Sequence, residues 1–247
     1  MRKLKPKIRK VTEIMLLVTL TGSVVVGGLL YHQKQKEKKV ISSFISSSVE
    51  SETSKNDEKE FIIDWENLKK TNDDVIGWIR VLDTNINYPV VQSNDNDFYL
   101  RRNIECDYSE LGSIFMDYRN SCDLTSLNTF IYGHFEYYGD QMFTHLANYK
   151  KQEFAESHQI IHYYTPEKNY ELIVFSVHED DPEGDSYIFD FATKSDFENY
   201  CNEVKSKSVV ELDVDDFQDE TKVVTLYTCV LGKSTKRLYV HCIVKEI

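Results

Sequence analysis

Four prolines and nine glycines in 247 residues are too few for a collagen-like or low-complexity chain. There is no glycine-rich phosphate loop, no helical HExxH motif and no internal repeat, so phosphate cradling, zinc-protease chemistry and a solenoid have no basis in the sequence. Positive charge is scarce as well. The 29 Lys and Arg stand against 41 Asp and Glu, a net charge of −12, which argues against nucleic-acid binding through a general positive field. Cysteines are few and odd in number, so in an oxidising compartment at least one of the five keeps a thiol without an intramolecular partner. Apolar residues are not lacking: 41% of the chain is hydrophobic and 13% aromatic, enough for one sizeable core.

The charge is divided. Residues 1–39 carry ten Lys and Arg against Glu13 and Glu37, a net of +8, and the remainder carries −20. After Arg2, Lys3, Lys5, Lys7, Arg9 and Lys10 comes an uncharged apolar run over 14–31. As a helix this run reaches about 27 Å, close to the thickness of a bilayer's hydrocarbon core. Its small residues, Gly22, Ser23, Gly27 and Gly28, lie inside the run rather than after it, so an uncleaved anchor is expected, with a cleaved signal peptide or a buried helix as alternatives. The basic bias before the run places the amino terminus in the cytoplasm and the body outside the cell. Residues 32–60, rich in Lys, Ser and Glu, read either as a tether of about 30 Å root-mean-square reach or as an extension with no spacing role. The expected organisation is a basic flank over 1–13, a membrane anchor over 14–31, a flexible linker over 32–60 and one folded domain over 61–247.

Within that domain a short helix is expected after Asp64, with Trp65, Leu68 and Lys69 on one face and Asn72 at its end. Strand patterns follow at 86–91, 113–116, 128–132, 160–164, 170–177, 222–228 and 238–244, which points to a mainly β barrel or sandwich. Two helical patterns interrupt them, a modest one over 141–149 and a clear one. In the clear one, Ser195 and Glu198 fit a capping box, and Phe197, Tyr200, Cys201 and Val204 share a face.

Cys201 and Cys242 sit in core patterns, and Cys106 and Cys122 could be bridged or free. Cys229 differs, because it ends a strand pattern and precedes a loop containing Gly232, where a thiol can emerge from a rigid scaffold. A free thiol is only a few per cent thiolate at neutral pH, so a nucleophile there needs a base or a cation. Among the seven histidines, His32 belongs to the linker, and His145, His158 and His162 fall in ordinary helix and strand patterns. His178 opens the acidic run Glu179 to Asp185, read as a solvated loop, and His241 points away from its neighbour Cys242. His134 emerges at a strand end like Cys229. Arg237, eight residues past Cys229, can return beside the thiol through a hairpin and hold a carbonyl or oxyanion, or serve only as a solvated edge cation; Lys236 faces the other way.

The run T-L-Y-T-C at 225–229, the later Arg237 and I-Y-G-H at 131–134 resemble the sortases, membrane-anchored cysteine transpeptidases of Gram-positive bacteria. D-W-E-N-L-K-K-T-N-D-D-V-I-G-W-I at 64–79, N-Y-P-V-V-Q at 87–92, D-N-D-F-Y-L at 95–100 and G-S-I-F-M-D at 112–117 are similar to class B in particular. The resemblance covers about 61–247. It implies a closed barrel of about eight strands, with an N-terminal helical segment and a helix in the long connection before the cysteine strand. It also implies Cys229 as nucleophile, His134 as acid and base, and Arg237 as oxyanion and substrate ligand. Leu100, Tyr187 and Ile188 become candidates to touch a sorting peptide, and Ser113 and Asp117 are assigned to local structure. The implied partners are secreted proteins with a C-terminal sorting motif and an amine of peptidoglycan or its lipid precursor, with a pilin lysine as the alternative acceptor and no metal or organic cofactor. A wall-associated cysteine peptidase and a non-catalytic scaffold with a degenerate sortase fold are the alternatives.

Overall fold

The computed structural model describes residues 61–247 apart from 138, 219 and 231. Before them it describes the backbone of 49–53 and 59–60 and scattered positions between 25 and 47. The apolar run over 14–31 therefore lies outside the described residues, save for Val25, Gly27, Gly28 and Tyr31. Among the described residues no helix is long and apolar enough to cross a membrane. The chain divides into two units, Met1–Ile63 and Asp64–Ile247. In the first, β1 (Val49–Thr53) pairs antiparallel with β2 (Lys59–Ile63).

The second unit opens with α1 (Trp65–Thr71), whose cap Asp64 accepts the Asn67 amide at 2.9 Å. Eight strands then close into a barrel. They are β3 (Val75–Arg80), β4 (Asn87–Val91), β5 (Ile114–Met116), β6 (Asn128–Tyr132), β7 (Ile160–Tyr164), β8 (Asn169–Asp180), β9 (Val223–Val230) and β10 (Lys233–Glu246). Around the barrel the order is β10-β8-β7-β3-β4-β5-β6-β9. The β4–β5 and β6–β9 pairs are parallel and the others antiparallel.

β3 is the barrel strand that the sequence patterns omit. Val75, Trp78 and Ile79 are all buried, so both faces are apolar and no alternation marks the strand. Gly77 in its middle also reads as a breaker, yet it is required there. A Cβ at that position would collide with the Tyr163 hydroxyl and meet the Tyr164 carbonyl oxygen at 3.0 Å.

The modest helical pattern at 141–149 is a 3-10 helix over Thr144–Lys150, followed by α2 (Gln152–Ser157). The clear pattern is α3 (Lys194–Ser206), which starts two residues earlier than the capping box at Ser195 allows. Thr193 is the cap, with Asp196 as its reciprocal partner, so T-x-x-D rather than S-x-x-E closes the box. Phe197, Tyr200, Cys201 and Val204 form one buried face against Phe175 and Val223, each such side chain contributing about 1.5–3 kcal/mol. The connection between β8 and β9 thus covers one outer stretch of the barrel. That cover explains why β6 and β9 are buried on both faces as well.

Candidate active site

Three neighbouring strands supply the three residues singled out in the sequence. Cys229 is the penultimate residue of β9 and is half-buried. The β9–β10 hairpin sets Arg237 directly opposite Cys229, so both side chains leave the same face of the sheet. On the other side of β9 the parallel ladder pairs Tyr132 with Tyr227, and the Gly133 amide donates to the Tyr227 carbonyl at 3.2 Å. Two residues further along each chain stand His134 and Cys229, at the same level of the barrel rim. Lys236 turns the other way, to Asp181 at 2.8 Å.

His134 is fixed from both ends. Its carbonyl accepts the Phe143 amide at 3.0 Å, and its Nε2 lies 2.8 Å from the Leu100 carbonyl oxygen. A carbonyl only accepts, so Nε2 carries the hydrogen and Nδ1 holds the free lone pair of the neutral ring. Burial lowers the His134 pKa and the charge of Arg101 pushes the same way, while the Leu100 bond opposes them. The ring is therefore neutral near pH 7. Gly133 leaves room for the packing of this turn, since a Cβ there would come within 2.5 Å of Ile114 Cδ1 and 2.6 Å of the Phe143 ring.

Beneath the rim lies a row of rings. Tyr132 meets Tyr227 with centroids 5.3 Å apart, Tyr227 meets Tyr239 at 5.0 Å, and Tyr239 stacks on His178 at 5.5 Å. The row below carries Thr225 and His241 in cross-strand register. His178 is a correction to the sequence reading: it is not the start of a solvated loop but a buried residue of β8, with Ser176 Oγ 3.2 Å and Ser186 Oγ 2.9 Å from its ring nitrogens. The run of carboxylates after it hides a strand that continues to Asp180.

Leu100 and Ile188 are exposed large apolar residues at 39% and 36%, and Tyr187 is half-buried. Tyr187 packs edge-on against Phe130 at 4.9 Å and lies 5.7 Å from Tyr227, so it sits over the strands that deliver His134 and Cys229. Leu100 joins the site through its backbone as well, as the acceptor for His134. Cys106 and Cys122 are both free. Sequence reasoning set Asp117 aside as local structure and did not single out Arg119, Tyr132 or Asn128; all four tie β6 to its surroundings.

Comparison with known proteins agrees with this arrangement. A family model described as "Sortase domain" matches residues 79–244. Sortase B of Staphylococcus aureus is 39% identical over 180 residues, covering 71% of this chain and 72% of that protein. A crystal structure of sortase B from Bacillus anthracis is 30% identical with a TM-score of 0.75, covering 88% of this chain and all of that one. A Staphylococcus aureus sortase B–substrate complex is 35% identical with a TM-score of 0.70, covering 74% of this chain and 85% of that one. The eight-stranded closed barrel, the long covered connection before β9 and these similarities lead to one conclusion: the chain belongs to the sortase family of transpeptidases, and within it to class B.

Proposed function

We propose that the chain cleaves a C-terminal sorting motif of secreted proteins after Thr and transfers the acyl group to a peptidoglycan amine. The carrying observation is the cross-strand pairing of Cys229 with Arg237, with His134 two residues past the end of the adjacent strand β6, as Cys229 is two residues past Tyr227, the ladder partner of Tyr132. His134 Nδ1, left with its lone pair by the Leu100 hydrogen bond, takes the Cys229 proton. The thiolate attacks the Thr carbonyl carbon, and the Arg237 guanidinium faces the oxyanion that forms. As the C–N bond breaks, the imidazolium returns its proton to the leaving amine and a thioester remains. An incoming amine then gives a proton to His134 as it attacks the thioester carbon, the C–S bond breaks to release the new amide, and the imidazolium returns that proton to the Cys229 thiolate. That Staphylococcus aureus sortase B has been solved with a substrate, and a sortase B also with triglycine, supports a peptide donor and an amine acceptor here too.

In this reading Leu100, Tyr187 and Ile188 line the path of the peptide. Residues 1–13 lie in the cytoplasm, 14–31 anchor the chain, 32–60 form the linker, and 61–247 work outside the cell, as the +8 and −20 division of charge supports. The purified chain is expected to cleave a quenched fluorescent peptide of N-P-x-T-x or P-P-x-T-G type at the Thr-x bond. Cleavage disappears in both Cys229→Ala and His134→Ala, and an added amine diverts the product from acid to amide. Cleavage that persists in Cys229→Ala, or a product that is acid at every amine concentration, overturns the reading.

A further inference from the structure

Beside the rim, four side chains close into a ring of hydrogen bonds that the proposed chemistry does not use. Asp117, just past β5, is fully buried. Its Oδ1 accepts Arg119 Nε at 2.8 Å and the Arg119 amide at 2.9 Å. Its Oδ2 accepts Arg119 Nη2 at 2.8 Å, Asn96 Nδ2 at 2.7 Å and the Tyr132 hydroxyl at 2.6 Å. Burial alone would raise the Asp117 pKa, and the bonds from Arg119, Tyr132 and Asn96 outweigh it, leaving a carboxylate held below its ordinary value.

The direction of every bond in the ring then follows. Tyr132 commits its proton to Asp117, so its oxygen accepts from the Tyr187 hydroxyl at 2.8 Å. Tyr187 commits its proton to Tyr132, so its oxygen accepts from Arg119 Nη2 at 3.2 Å. The same Arg119 nitrogen donates to Asp117 and closes the ring, while the guanidinium centre stacks 3.7 Å from the Phe189 ring centroid. The ring joins three stretches of chain: the turn after β5, the strand that presents His134, and the segment before α3 that carries Tyr187 and Ile188. Asn128 Nδ2 pins the same segment one residue on, donating to the Ile188 carbonyl at 2.8 Å.

We propose that Arg119 and Asp117 are positioning residues for peptide recognition: through the ring they set the height and tilt of Tyr187 and Ile188 over β6 and β9. The inference rests on the reading that Tyr187 and Ile188 line the peptide's path. Asp117 is too deeply buried for a clean test, because its removal strands several donors at once. Arg119 is suited to one, since its side chain is 42% exposed and a Met at that position keeps the stem packed on Phe189.

The experiment compares the full chain with Arg119→Met, Tyr187→Phe and the double variant. It measures kcat and KM on the quenched peptide, peptide affinity in a Cys229→Ala background, and the rate at which a small thiosulfonate modifies Cys229, followed by peptide mass. Because the Arg119–Tyr187 bond is long and partly solvated, Arg119→Met is expected to raise KM and weaken affinity about 5- to 20-fold. Its kcat stays within about twofold, with the Cys229 modification rate unchanged. Tyr187→Phe moves KM the same way, and the double variant is no worse than Arg119→Met alone, because both changes open one ring. An Arg119→Met chain with unaltered KM, one in which kcat, KM and thiol reactivity fall together, or additive single effects overturns the inference. A parent chain that neither binds nor cleaves the peptide overturns the reading beneath it and the inference with it.

Discussion

Asn128→Asp changes one atom's chemistry without changing shape, at a point where β6 meets its cover. Asn128 is fully buried. Its Nδ2 donates to the Ile188 carbonyl at 2.8 Å and to the Tyr200 hydroxyl oxygen at 3.0 Å, and its Oδ1 accepts Thr225 Oγ1 at 2.8 Å. Tyr200 commits its proton to the Ser186 carbonyl at 2.9 Å, so turning it toward a carboxylate would only strip that carbonyl of its donor instead. An aspartate at 128 therefore faces two acceptors with a third. Two buried acceptors lose their donors at about 1–3 kcal/mol each, and the carboxylate is itself desolvated, so a loss of about 3–5 kcal/mol at pH 7.5 is expected. At about 2–4 °C per kcal/mol this lowers the melting temperature by roughly 10 °C. The folded-state pKa of the new Asp is raised, so the penalty is full well above it and shrinks as pH falls through it, when the protonated acid regains one donor. Urea midpoints of variant and parent at pH 7.5 and pH 5 measure both effects. A variant within 1 kcal/mol of the parent at pH 7.5, or a penalty that does not shrink at pH 5, would refute the assignment of these bonds.

Two further outcomes concern titration and thiols. Burial pushes the His178 pKa down to about 4; Lys207 acts the same way, and Asp180 and Glu203 oppose it. His241, whose ring centroid is 5.1 Å from that of His178, is also lowered well below its ordinary value, by its own burial and by His178 and Lys207. The unfolded chain takes up these protons first, so stability is full above about pH 6.5 and falls toward pH 4, on the order of 3 kcal/mol from His178 alone. Urea midpoints across that range in the parent and in His178→Gln check this, and a slope equally steep in the variant counts against it. In Ellman titration of the native chain, the exposed Cys106 and Cys122 and the half-buried Cys229 react, while the buried Cys201 and Cys242 wait for denaturant. Burial pushes the Cys201 thiol up to about 12, which slows it further. All five titrate in denaturant without reductant, whereas a Cys106–Cys122 bridge would leave three.

Much of the barrel was legible because its strands are bounded by turns and enriched in β-branched and aromatic residues; the pattern at 160–164 coincides with β7. β3 was not, because cover on both faces erases the period-two signal and, unlike β6 and β9, its short run is broken by Gly77. The apolar face of α3 was legible from the spacing of Phe197, Tyr200, Cys201 and Val204, whereas its start was not. Two overlapping capping patterns compete there, and only the backbone decides between them. At the site, the eight-residue spacing suggested that Arg237 could return to Cys229, and the hairpin register brings it there. The partner of His134 had no signature at all, being the backbone carbonyl of Leu100 34 residues earlier. The Asp117 ring escaped notice for a related reason: Arg119 and Tyr187 are 68 residues apart, and nothing local tells a closed ring from scattered polar residues.

The parallel seam between β6 and β9 has a kinetic consequence. Asn128 and Thr225, hydrogen-bonded across it, are 97 residues apart in the chain, so this seam can zip only after everything between them has been folded back. The Cys229–Arg237 hairpin is local and can form early, but His134 comes level with the thiol only when β6 and β9, the barrel neighbours farthest apart in the chain, have paired. A partly folded chain therefore carries a cysteine and a cation without a base. Acyl-transfer activity would thus serve as a readout of barrel closure, appearing with the slowest folding phase rather than with the first β-structure.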